Sequence, residues 1–108
     1  MSAMVDNKQN ATEQNSEYRL PSTATLQYAA KVSVVDDKPI MMDYWSQSLE
    51  KGVFVGVKEN KEQLLVKSAD EYTSPIVKIS KMNAEYIVAT ENSIYLVDGN
   101  IACQRIST

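Results

Sequence analysis

The chain has 108 residues, a formal net charge of −3, one cysteine and no histidine. That length allows one domain and leaves little room for a second. The missing histidine removes the commonest general base and metal ligand, and a single cysteine excludes an intrachain disulfide and a Cys-rich zinc site. At 44% hydrophobic residues there is material for a small core.

The first residues lack a basic region followed by an apolar stretch, so a signal peptide is not expected. No apolar run reaches the roughly 20 residues of a membrane helix. An intracellular, cytoplasmic setting is the expectation. Residues 1–24 are rich in Asn, Gln, Ser and Thr, with scattered apolar positions. They read as a flexible polar arm, with Tyr18 and Leu20 as its anchors. Residues 25–108 read as a single β-rich domain.

From position 26, Leu26, Tyr28, Ala30, Val32 and Val34 alternate with Thr25, Gln27, Ala29, Lys31 and Ser33. A period of two is the mark of a strand with one buried face. A helix beginning at Ser22 competes, and the strand is preferred. Asp36-Asp37-Lys38-Pro39 is a turn. Residues 40–45 read as the returning strand, with Ile40 and Trp45 on opposite faces. Residues 46–51 form a loop or a single helical turn, closed by Gly52. Further strands follow at 53–57, 63–67, 76–81, 85–90 and 93–97, with 101–106 pairing last. Asp98-Gly99 is the strongest hairpin signal, because both residues tolerate positive φ. Two segments echo each other as strand, Glu-Asn turn, strand: 54–66 and 87–97. The expected fold is mainly β: a small antiparallel meander closing as a barrel or a two-layer sandwich, with at most one short helical turn.

Catalytic patterns are not found. Without histidine no Ser-His-Asp or Cys-His arrangement exists. Three glycines, at 52, 56 and 99, cannot make a phosphate loop. The carboxylates Asp36, Asp37, Asp43, Asp70 and Glu71 read as solvated turn residues. Cys103 reads as a core thiol, although Arg105 shares its strand face. No catalytic, cofactor or metal residue is therefore named, and the chain is not read as an enzyme.

Lysines 51, 58, 61, 67, 78 and 81 are interleaved with acidic residues, which argues against a nucleic-acid surface. The last hairpin is apolar on both faces: Ile87 and Ala89 alternate with Tyr86 and Val88, and Ile94 and Leu96 with Tyr95 and Val97. A half-exposed sheet shows one polar face. A second chain covering one of these faces is the expectation, so Trp45, Phe54, Ile87, Tyr95 and Val97 are the candidate interface residues. The leading function is a non-enzymatic protein–protein interaction or assembly module, with a protein partner or a homo-oligomer. Viral and mobile-element accessory or structural proteins fall in this class. The alternative is a small β-barrel domain binding a peptide, a small molecule or single-stranded nucleic acid. For the last of these, Tyr72 and Phe54 near Lys51, Lys58 and Lys67 supply the aromatic and basic groups.

Overall fold

A computed structural model describes residues 19–107. Among them the chain forms two helices, α1 (Thr23–Asp36) and α2 (Trp45–Leu49). It also forms eight strands: β1 (Ile40–Met41), β2 (Phe54–Val57), β3 (Gln63–Ser68), β4 (Glu71–Tyr72), β5 (Ile76–Met82), β6 (Glu85–Thr90), β7 (Ile94–Asp98) and β8 (Ala102–Arg105). The strands make two four-stranded sheets, ordered β1-β7-β6-β5 and β4-β3-β2-β8. The fold is mainly β and a sandwich. Neither sheet closes into a barrel, since each ends on two outer strands.

The first correction concerns residues 25–34, which are helical. Ser22 caps α1, its hydroxyl accepting the Thr25 amide at 3.3 Å. Asp37 ends the helix in the left-handed region, φ 55°, with its amide bonded to the Ser33 carbonyl. The inward stripe is Thr25, Tyr28, Ala29 and Val32, at helical spacing. The residues that produced the alternating pattern are split between the two faces of the helix. Leu26, Ala30 and Val34 lie outward and exposed.

Chain direction departs from a pure meander. β6 pairs antiparallel with β5 and with β7, and β2 with β3. β1 runs parallel to β7, and β8 parallel to β2. The Asp98-Gly99 turn is not a hairpin, because β7 lies in the first sheet and β8 in the second. Gly99 does not adopt positive φ. It is needed for a close approach: a Cβ there would sit 2.6 Å from the Ala84 carbonyl oxygen. The two echoing segments do form hairpins, β2-β3 and β6-β7.

The first sheet is the middle layer. Ile87, Ala89, Ile94 and Leu96 face the helices and pack with Ala29 and Trp45. Val88 and Val97 face the second sheet and pack with Tyr44, Val53 and Leu65. The doubly apolar hairpin is thus covered within the chain itself, by α1 and α2 on one side and by the second sheet on the other. Ile40 and Trp45 share the helix-side cluster, contrary to a strand through 40–45. The chain leaves β1 after Met41 and turns into α2, and that turn brings the indole back to the same side.

Of the stretch read as an arm, residues 1–18, including Tyr18, lie outside the described residues. Leu20 is 72% exposed, so it anchors nothing in this chain. Its neighbours do the anchoring. Pro21 is buried, and Arg19 reaches two carboxylates at one end of the first sheet.

Candidate interaction surfaces

Three features stand out once the layers are assembled: a polar clasp, a cleft beside α1, and an apolar groove on the outside of the second sheet.

The clasp joins the entry of α1 to the ends of β6 and β7. Arg19 donates to Glu85 Oε2 at 2.9 Å and to Asp98 Oδ1 at 2.7 Å. The other Glu85 oxygen accepts the Thr25 hydroxyl at 2.6 Å and the Ser22 amide at 3.2 Å. The Trp45 indole lies under the guanidinium, 5.2 Å from its centroid, and donates to the Arg19 carbonyl at 2.7 Å. Burial pushes the Glu85 carboxyl up. The bonds from Thr25, the Ser22 backbone and Arg19 outweigh that and hold it below its ordinary value. Both Glu85 carboxylate oxygens and both terminal nitrogens of the guanidinium have partners here, so this is a structural fastening.

The cleft lies between α1 and β5. β5 is seven residues long and ends its sheet, so one of its edges is unpaired among the described residues. Tyr28, Val32 and Val35 form one wall, Ile87 and Ala89 the floor, and Val77, Lys78 and Ser80 the other wall. The volume is about 360 Å³. The register shifts between Ile76 and Lys78. This bulge breaks the alternation and lets neighbouring Val77 and Lys78 both line the cleft. Val35 and Val77 are 73% and 64% exposed. Three lysines stand around the cleft (Lys31, Lys38 and Lys78), against one acid, Asp36. Lys38 is fixed by donating to the Thr90 carbonyl at 2.6 Å.

The groove on the outer face of the second sheet has a volume of about 640 Å³. Register places Ala102, Phe54, Val66 and Tyr72 in one row across the four strands. Leu64, Ile106 and Lys58 complete the lining. A Cβ on Gly56 would come within 3.0 Å of both Val66 and Ile106, so the absent side chain keeps the groove floor low.

The five sequence-derived interface residues do not form one surface. Trp45, Ile87 and Val97 are buried at 3%, 3% and 0% exposure within the chain's own core. Tyr95 is half-buried against Tyr44, ring centroids 5.2 Å apart. Phe54 alone lines an open groove. Of the basic residues grouped with Phe54 and Tyr72, Lys58 lies at the groove. Lys67 sits instead over the Tyr44 ring, 4.6 Å from its centroid. Cys103 is exposed, because β8 is an outer strand of its sheet, and is not the core thiol its neighbours suggested. The cleft beside β5 was missed. Its only trace in the sequence is Lys78 following Val77 within a strand.

Among the described residues, no group of three His, Cys, Asp or Glu side chains could hold a metal ion, and no helix is long and apolar enough to cross a membrane. No protein-family model, curated protein or solved structure matches the chain.

Proposed function

We propose that the chain is a non-enzymatic module that binds another protein, and that it does so along the free edge of β5. One observation carries the reading. Among the described residues, the longest strand leaves an edge unpaired next to an apolar cleft whose rim residues, Val35 and Val77, are largely exposed. An extended segment laid on such an edge gains main-chain hydrogen bonds, and every second side chain reaches the cleft. Exposed apolar residues clustered at a concavity are the usual mark of a contact site. The test is a selection of phage-displayed random decapeptides on the full chain, followed by amide hydrogen exchange with a selected peptide bound. Slowed exchange along β5 supports the reading. Failure to enrich any peptide, or protection confined elsewhere, sinks it.

A second reading rests on the outer groove, where Phe54, Tyr72 and Lys58 offer two aromatic faces and a cation. That combination suits a small aromatic ligand or an unpaired nucleotide. Fluorescence anisotropy with labelled oligo(dT) checks the nucleic-acid form. Salt-sensitive binding that Phe54→Ala abolishes would favour it over the β5 edge.

A further inference from the structure

We infer that the segment taken up by the β5 edge is an extended peptide of another protein whose cleft-facing side chains, every second residue, include both acidic and apolar ones. The inference rests on the β5 reading above and adds the chemistry of the partner.

The charge around the cleft is unbalanced. Lys31 on α1 and Lys78 on β5 are exposed on its two walls, and Lys38 closes one end. Asp36 is the single acid in the lining. The chain as a whole carries −3, so this local excess of positive charge runs against the global balance. Charge patches set which partner is accepted and how fast it arrives. An added strand faces the cleft with every second side chain, so carboxylates at some of those positions would meet Lys31 and Lys78 beside the apolar floor.

The apolar half of the recognition comes from the floor. Ile87 and Ala89 are 3% and 8% exposed, and the walls add Val32, Val35 and Val77. The floor and walls are mostly aliphatic, which suits apolar side chains on the partner.

The same lysines argue against a second copy as the occupant. Two β5 edges brought together would place the Lys78 and Lys81 pairs of both chains side by side, with no acidic residue in β5 to offset them. Lysines and a bulge on an outer strand are a known defence against pairing with itself. An acidic strand turns that defence into attraction.

The probes are acetyl-Val-Thr-Glu-Thr-Val-Thr-Glu-amide with a fluorescein label, which puts Val and Glu on one face, and its counterpart with Lys in place of each Glu. They are titrated against the full chain by fluorescence anisotropy. The acidic peptide is expected to bind at least about tenfold more tightly than the basic one. K31E/K78E should reverse that order, and K31Q/K78Q should abolish the preference without reversing it. Both substituted side chains are exposed, and the neutral variant covers the case in which the reversed one fails to fold. Hydrogen exchange should slow along β5 with the acidic peptide bound. Equal affinity for the two peptides, a preference for the basic one, or a preference that survives both double variants overturns the inference. If the basic peptide binds and protects β5, the edge reading stands and the acidic chemistry falls. If neither peptide protects β5 while phage-selected peptides do, the edge again stands and the acidic partner is wrong. Sedimentation that shows a dimer dissociated by a β5 substitution, with neither peptide competing, identifies a second copy as the occupant and overturns the inference.

Discussion

The guanidinium of Arg19 donates to the carboxylate of Glu85 at 2.9 Å, joining residues 66 positions apart. Glu85 is nearly fully buried, whereas Arg19 keeps 37% of its side chain in solvent. A buried carboxylate that loses its cation is left uncompensated. Arg19→Ala strands two acids, Glu85 and Asp98, and also exposes one face of the Trp45 ring. The expected loss is about 2–4 kcal/mol, below the fully buried case because the arginine is partly solvated. Urea unfolding of the variant measures it. An unchanged midpoint would mean that the clasp adds nothing to stability.

The same clasp predicts an acid limb. The folded Glu85 pKa lies below the ordinary value of 4.5. Its contribution is therefore fully present above 4.5 and is lost as the pH falls through the lowered folded value. Glu85→Gln has no such titration. The stability gap between wild type and this variant should be constant near neutrality and close in acid. A gap that stays open down to the lowest pH at which both fold would contradict the role given to the carboxylate.

Much of the strand content was legible in the sequence, and the reason is local. The segments 54–57, 85–90 and 94–98 carry β-branched residues bounded by turn formers, so their state depends on neighbours within a few positions. Helix α1 was not legible, because Leu26, Ala30 and Val34 place a second apolar stripe on its solvent face and imitate a period of two. The clasp and the β5 cleft were hidden for a different reason. Arg19, Glu85 and Asp98 meet only after the two sheets and α1 have assembled. The doubly apolar hairpin was read correctly as covered on both faces, but the cover is the chain's own helices and second sheet. Read as a strand, residues 25–34 leave too little material to cover both faces; as helix α1 they supply part of the cover.

Val97 decides between these two accounts of the hairpin. It is 0% exposed and packs with Tyr44, Val53, Leu65 and Val88. Val97→Lys would force an ammonium into that apolar layer. A loss of about 4 kcal/mol or more is expected, enough to unfold a domain of this size. Circular dichroism and one-dimensional proton NMR read the outcome. A folded variant with altered self-association would instead place Val97 at an interface between chains.

Gly99 tests the crossing between the sheets. Because its φ is not positive, the backbone itself would accept alanine. The obstacle is the Ala84 carbonyl, whose oxygen and carbon lie 2.6 and 3.1 Å from the position of a new Cβ. That neighbour is backbone at the β5-β6 turn and cannot rotate away. Gly99→Ala should cost about 1–3 kcal/mol through displacement of the turn. The Gly99 amide also donates to the same carbonyl at 2.8 Å, so the shift should weaken that bond too. A variant as stable as wild type would show that the turn is free to move.

The inter-sheet layer has its own pH signature, at the alkaline end. Tyr44 is 5% exposed, and burial first, then the neighbouring Tyr95, Asp43 and Glu71, push its phenol up to about 12. Tyr95 is raised as well, by burial and by Asp43. For a group raised in the folded state, stability is fully present below the unfolded value and is lost as the pH rises through the folded one. For Tyr44 the loss therefore begins near its ordinary value of 10.0 and continues towards 12. Tyr44→Phe keeps the ring that packs edge-on against Tyr95 and under Lys67, but removes the titrating hydroxyl. Its urea midpoint should fall less steeply than that of the wild type between pH 9 and 11. The double variant Tyr44→Phe/Tyr95→Phe should flatten the limb further. If the three proteins lose stability in parallel over that range, the two buried phenols are not the source of the alkaline loss.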